Sequence, residues 1–204
     1  MIRLRFLIGD QRGASAAEFA LVVPVLLLVL FGTIDVGRYA WNLSQAEKAT
    51  QTGARWAVAT DMIASGLYSY SFATSASVPQ GTTVNATLFP GIVCQSSGGA
   101  ASCTCSAACS FPTTASNTAF TNLVTRMAQI YPGLTADNVV VTYAWSGLGF
   151  AGDPNGPDVA PLTTVSLRNV SYTPFSGYIF GGPITLPAFA YTLPMEDGSG
   201  TSSN

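Results

Sequence analysis

Apolar positions dominate one long stretch near the start of the chain. Residues 14–34 are apolar or small with one charged exception, Glu18. As a helix these 21 residues would be roughly 31 Å long, which is enough to cross the hydrocarbon core of a bilayer. Arginines precede the stretch and none follows it immediately, which predicts a cytoplasmic N-terminus and an extracytoplasmic remainder. The pattern therefore predicts a single-pass anchor in the inner (cell) membrane.

Helical spacing continues beyond the apolar stretch. Apolar or small residues recur every three or four positions from Val36 to Ala57, with polar residues between them. Pro24 removes one backbone hydrogen bond inside the stretch, and membrane helices tolerate such a loss. We therefore predict one long helix over residues 14–64, with a membrane half and an amphipathic half.

The rest of the pattern predicts a small domain over residues 65–195. An apolar stripe ended by Pro132-Gly133 predicts a second helix at residues 117–131. Runs rich in Val, Thr and Tyr predict strands at residues 138–145, 162–172 and 184–193. A further short strand at residues 83–89 would complete an antiparallel sheet of three to four strands. The predicted fold class is α+β, followed by a disordered polar tail at residues 196–204.

The cysteines form a single cluster. Cys94, Cys103, Cys105 and Cys109 fall within sixteen residues, and their spacing is not that of a zinc finger. Because an exported location favours oxidation, we predict two disulfides that staple a loop over residues 91–112. A bond between Cys103 and Cys105 would close a very small, strained ring. Two connectivities stay open: 94–103 with 105–109, or 94–105 with 103–109.

Composition argues against catalysis and against nucleic-acid binding. The chain has no histidine, which removes imidazole acid–base chemistry and histidine-ligated zinc. Residues 56–204 carry two arginines against six carboxylates, a net charge of −4, so they lack the basic clusters that hold nucleic acid. The acidic loop from Asp153 to Asp158 lacks the ligand pattern of an EF-hand. We expect no enzyme activity, no cofactor and no metal site.

Glu18 is the exception that needs a partner. A charge within an apolar span costs roughly 2–3 kcal/mol or more unless it is compensated. The block from Arg12 to Phe19 resembles a type IV prepilin cleavage site, with a basic leader, a glycine, four small residues, and a glutamate followed by an aromatic residue. The resemblance implies that prepilin peptidase removes residues 1–13 by cutting between Gly13 and Ala14. It also implies that Glu18, beside Phe19, pairs with the new terminal amine of a neighbouring subunit.

A longer similarity extends this one. The sequence EFALVVPVLLLVLFGTIDVGRYAWNLSQAEKATQTGARWAVAT resembles the N-terminal domain of the TadE-like proteins, minor pseudopilins of tight-adherence (Flp-type, type IVb) pili. Its elements are an E-F-A-L-V-x-P start, a Leu-rich run, G-x-x-[DE]-x-G-R, and G-A-R-x-A. These elements place Glu18, Phe19, Pro24, Gly32, Asp35, Gly37, Arg38, Gly53, Ala54 and Arg55 in the family pattern. The segment VSYTPFSGYIFGGPITLPAFAYTLPME is loosely similar to the closing strands of that family.

The resemblance implies a structural and assembly protein of a pilus, anchored by its first helix until it is incorporated. Implied partners are prepilin peptidase, other TadE-like or TadF-like pseudopilins, the major pilin, the inner-membrane assembly platform and membrane lipid. The alternative from the residues alone is an uncleaved, signal-anchored extracytoplasmic binding or adhesin module. The two hypotheses differ in whether the chain is cut after Gly13.

Overall fold

The computed structural model describes residues 13–154, 156–177 and 181–195 of the 204-residue chain. The predictions of a leader upstream of Gly13 and of a disordered tail at 196–204 fall outside these residues. The described chain divides into two compact units. The first holds residues 13–41 and the described part of 172–184, and the second holds the described remainder.

The first element is a single long helix, α1 (Ala14–Ala59), of 46 residues. Pro24 lies inside it, and the helix continues through that position. The helix ends five residues before the predicted end at residue 64. The chain leaves the helix because Met62, Ile63 and Ala64 are buried in the core of the second unit.

The amphipathic half of α1 packs through small side chains within the second unit. Ala46, Ala49, Ala54 and Ala57 are buried. A Cβ atom on Gly53 would lie 2.6 Å from the Met127 sulfur, so glycine at this position lets that side chain lie directly against the helix. Packing therefore accounts for the small residues Gly53 and Ala54 in the G-A-R-x-A element.

Three further helices belong to the second unit. They are the single turns α2 (Ser65–Tyr68) and α3 (Phe72–Ser75), and the longer α4 (Asn117–Ala128). The Ser116 hydroxyl caps α4 by accepting a hydrogen bond from the Ala119 N–H at 3.2 Å. The predicted apolar stripe of this helix faces the core. The helix is three residues shorter than predicted, because residues 129–131 form a turn.

The sheet of the second unit has five antiparallel strands. They are β1 (Ile92–Ser97), β2 (Ala100–Cys105), β3 (Val139–Ala144), β4 (Leu162–Leu167) and β7 (Ala190–Pro194), in the order β2-β1-β3-β4-β7. A 3₁₀ turn at Ala136–Asn138 leads into β3. Two very short strands, β5 (Ser171–Tyr172) and β6 (Ile184–Thr185), pair separately. The predicted fold class, α+β with an antiparallel sheet, is confirmed.

The strand predictions need three corrections. The sheet has five strands rather than three to four, because the cysteine segment forms the β1–β2 hairpin instead of a loop. Residues 83–89 form no strand, since the Asn85 side chain accepts hydrogen bonds from the next turn and Thr83 makes only an isolated bridge. Both C-terminal runs are interrupted. Asn169 has a left-handed φ of 52°, and Pro187 lacks the N–H that a ladder needs.

The core of the second unit combines strand aliphatics with aromatic rings. Phe72, Phe89 and Phe111 form a contiguous cluster with Tyr70 at its edge. Tyr143 is fully buried, and its hydroxyl accepts a hydrogen bond from the Ile63 N–H at 3.0 Å. Burial raises the pKa of the Tyr143 hydroxyl, so it stays protonated at physiological pH.

Candidate functional site: the N-terminal half of the long helix

The apolar half of α1 presents its side chains outward. Its leucines, phenylalanines and valines between Phe19 and Ile34 are exposed except for the half-buried Val23, and Val29 near the middle is 63% exposed. A soluble protein rarely leaves a surface of this kind uncovered. The helix is long and apolar enough to cross a membrane.

The predicted cleavage and pairing residues lie at the start of this helix. Gly13 directly precedes α1, and Ala14 is its first residue. Glu18 and Phe19 are exposed in the second turn. Cleavage requires the peptidase, and the pairing of Glu18 requires a second subunit, so both roles remain predictions.

Two glycines leave open surface at the other end of the apolar segment. A Cβ atom added to Gly32 or Gly37 would meet nothing within 4 Å. Small residues let another helix approach closely in a membrane. The open space agrees with such an approach from outside the chain. The Thr33 hydroxyl donates to the Leu30 carbonyl at 2.8 Å, so this polar group is satisfied within the helix.

Asp35, the first residue after the apolar segment, anchors a distant part of the chain. Its Oδ1 accepts a hydrogen bond from the Phe175 N–H at 2.7 Å, and its Oδ2 accepts one from the Ser176 N–H at 2.8 Å. The Tyr172 hydroxyl lies 3.4 Å from the Asp35 carbonyl oxygen, to which it donates. We call residues 172–177 with Asp35 and Arg38 the Asp35 clamp. Asp35 is only 7% exposed, so both carboxylate oxygens are used within the clamp.

Arg38 and aromatic rings complete the clamp. The Arg38 guanidinium carbon lies 4.4 Å from the centroid of the Phe175 ring and 5.7 Å from that of Tyr172. These are cation–π distances. Burial alone would raise the pKa of the Asp35 carboxyl. The N–H donors of Ser176 and Phe175 and the nearby Arg38 outweigh burial and hold that pKa below its ordinary value. Asp35 is therefore a carboxylate at neutral pH.

The clamp gives a structural role to residues that the sequence pattern only grouped. Asp35, Gly37 and Arg38 were recognised as family-like positions without a partner. Two sequence features mark the segments involved: a carboxylate and an arginine one turn apart at the end of an apolar span, and the Tyr-x-Pro turn at Tyr172. Neither feature predicts that the two segments meet, because the contact joins residues about 140 positions apart.

The cysteines form two disulfides, Cys94–Cys103 and Cys105–Cys109. This is the first of the two connectivities left open by the sequence. Cys94 and Cys103 are directly opposed across the β1–β2 hairpin and are buried. The second bond closes the short segment that follows β2. The cysteine cluster is therefore part of the sheet, which corrects the predicted stapled loop.

The acidic loop forms a turn held by its last aspartate. The buried Asp158 accepts hydrogen bonds from the Phe72 N–H at 2.6 Å and the Asp153 N–H at 3.1 Å. Both oxygens of this carboxylate are thereby occupied by backbone donors. Within the described residues, no group of three histidine, cysteine or acidic side chains converges as a metal site would require.

Comparison with known families places the N-terminal segment. Residues 13–55 match the family model described as TadE-like protein. No curated protein and no solved structure gives a significant match. The match begins at Gly13 and covers the apolar segment, Asp35, Arg38 and the glycine that packs against Met127. The resemblance drawn from the sequence is therefore confirmed over residues 13–55, and this segment is TadE-like.

Proposed function

We propose that this protein is a minor pseudopilin, a structural and assembly component of a tight-adherence type IV pilus. The observation that carries the proposal is the TadE-like segment on an exposed apolar helix that starts directly after Gly13. An apolar helix that the described part of the chain leaves exposed can lie in lipid and can later lie among similar helices. Its function is thus to hold the protein in the membrane until assembly transfers it into a helical bundle.

In this proposal, prepilin peptidase cuts between Gly13 and Ala14, and residues 14–34 form the transmembrane part. Residues 65–195 form an extracytoplasmic domain. Other TadE-like or TadF-like pseudopilins, the major pilin and the inner-membrane platform are the partners. No catalytic chemistry is required of the chain.

In this proposal, assembly depends on the charge of the Glu18 carboxylate. An exposed carboxylate inside an apolar segment is unfavourable in lipid unless a cation compensates it. The terminal amine of a neighbouring processed subunit supplies that cation in a filament. In this arrangement an unpaired Glu18 favours the assembled state.

Replacing this carboxylate tests the proposal. Glu18→Ala should insert into the membrane at least as well as the wild type, because it makes the span more apolar. Incorporation into pili should fall at least tenfold, measured by immunoblotting sheared pilus and membrane fractions. Glu47→Ala is the matched control, since Glu47 is an exposed glutamate on the same helix whose side chain accepts a hydrogen bond from Gln51. Wild-type incorporation of Glu18→Ala would contradict the pairing role.

A further inference from the structure

We propose that the Asp35 clamp holds a second membrane contact of this protein, an interfacial turn centred on Phe175. This inference rests on the proposed membrane anchorage of α1. It concerns the turn at residues 172–177, which is far from α1 in sequence. The turn would contact the boundary between lipid headgroups and acyl chains.

The position of the turn follows from the helix that carries it. Asp35 comes directly after Ile34, the last residue of the apolar segment. Arg38 lies about 6 Å beyond Ile34 along the helix axis. The polar zone of each leaflet is about 5–8 Å thick. If residues 14–34 fill the hydrocarbon core, Asp35 and Arg38 lie within this zone. The Phe175 amide, 2.7 Å from the Asp35 carboxylate, is therefore fixed at the same depth.

The chemistry of the turn and its neighbours matches that environment. The Phe175 side chain is 49% exposed, although the backbone is fixed there by hydrogen bonds from the Phe175 and Ser176 N–H groups to Asp35. Trp41 is 67% exposed on the helix, roughly one turn beyond Arg38. Trp and Tyr are enriched at the membrane–water interface because their amphipathic rings sit at the headgroup level, and an exposed Phe ring can insert at the boundary between headgroups and acyl chains. The Arg38 guanidinium stacks on Phe175, which places a cation where lipid phosphates lie.

The buried Asp35 carboxylate fixes the position of the turn relative to the helix. Here two charge-assisted hydrogen bonds fix the backbone while the ring remains outside. The protein thereby contacts the membrane through both the helix and the turn held by the clamp. Two contacts restrict the rotation of the helix in the membrane.

Membrane depth can be measured by spin labelling of the full-length protein in vesicles of phosphatidylethanolamine and phosphatidylglycerol. The four native cysteines are disulfide-bonded, so one added cysteine takes the nitroxide label. Val29→Cys reports the span, Phe175→Cys reports the turn, and Phe150→Cys is the control. Phe150 is 43% exposed and belongs to the second unit. The hydrogen bond to Asp35 uses the backbone N–H of residue 175, so the label leaves that bond in place while it removes the ring that Arg38 contacts.

The ratio of collisions with oxygen to collisions with a water-soluble nickel chelate rises with depth. We expect the highest ratio at position 29 and a ratio at 175 at least threefold above that at 150. Asp35→Ala should bring the ratio at 175 down to that at 150 without changing position 29. If position 29 is lipid-exposed and 175 equals 150, the interfacial contact is wrong while the anchor stands. If position 29 itself equals 150, the proposed anchorage fails.

A label at Thr173 provides a second measurement. Thr173 is exposed in the same turn, and its replacement by cysteine leaves Phe175, Arg38 and Asp35 intact. Its ratio should also exceed that at position 150. A water-exposed value at both 173 and 175 would overturn the proposal independently of any effect of losing the Phe175 ring.

Discussion

Two carboxylates on the same helix meet opposite surroundings. Asp35 is buried and accepts two backbone hydrogen bonds within the chain. Glu18 is exposed on an apolar surface, which the proposed membrane insertion would place in lipid. Because the compensation of Asp35 is internal, its role is positional. In the proposed assembly, the terminal amine of a neighbouring subunit compensates the charge of Glu18.

Asp158 shows how a candidate ligand residue can serve the fold. Its position in the sequence DPNGPD suggested oxygen ligands, but its oxygens accept hydrogen bonds from Phe72 and Asp153. The neighbouring Gly149 has a positive φ of 100° and passes within contact of the Asp158 backbone. Gly149 therefore allows the two chain segments to cross closely at this point.

We expect Asp158→Ala to destabilise the full-length protein by about 2–3 kcal/mol, because it leaves buried backbone donors without acceptors. Denaturant unfolding in detergent micelles, followed by circular dichroism, measures this change. Asp61→Ala is the control, since Asp61 is exposed, and it should stay within about 0.5 kcal/mol of the wild type. A chelator should leave the wild-type midpoint unchanged. A fall in that midpoint would indicate a metal role instead.

Among the elements, the β1–β2 hairpin is the one that differs most from its prediction. The segment is rich in Ser, Gly and Ala, and its two apolar residues, Ile92 and Val93, do not alternate with polar ones. The signal that was available is the turn pair Gly98-Gly99, where both residues have positive φ. Cross-strand pairing of Cys94 with Cys103 supplies the contact that larger apolar side chains usually give.

The two disulfides should contribute unequally. Cys94–Cys103 closes a separation of nine residues between buried strand positions, and Cys105–Cys109 closes only four. Removing either bond should cost about 2–3 kcal/mol through the unfolded chain. The paired change Cys94→Ala and Cys103→Ala should cost more, because buried contacts beside β3 are also lost.

Denaturant midpoints of the two double variants test this order, and limited proteolysis reports where each chain opens. New cleavage should fall between Gly91 and Pro112 in both cases. Equal midpoints for the two double variants would contradict a structural role for the hairpin bond. Replacement of all four cysteines should lower stability by about 4–5 kcal/mol if both bonds act mainly on the unfolded chain.

Local patterns predicted the elements with clear periodicity and missed those set by long-range contacts. Residues 14–59 and 117–128 have apolar stripes at helical spacing, so both helices were predicted to within a few residues. The strand breaks at Asn169 and Pro187 depend on a single residue inside an otherwise strand-like run. The interaction of Asp35 with Phe175 depends on two segments meeting in space, which no local pattern encodes.

At the scale of the whole molecule, the family match and the exposed apolar surface fall on the same part of the chain. The TadE-like match covers residues 13–55, and the exposed apolar surface occupies the first half of that range. The remainder of the match contains Asp35 and Arg38 of the clamp, and also Gly53, which packs against Met127. The TadE-like segment therefore combines a helix long and apolar enough to cross a membrane with residues that hold distant parts of the chain.

The central claim is that this helix becomes a processed pilin-type helix. The most direct test is the intact mass of the protein extracted from its native membrane under non-reducing conditions. The proposal predicts a chain that starts at Ala14 and has four hydrogens fewer than its fully reduced form. Gly13→Leu should remain at full length, whereas Gly9→Leu, a glycine change within the leader, should still be cut. A full-length wild-type chain, or a mature N-terminus beyond Ile34, would contradict the account.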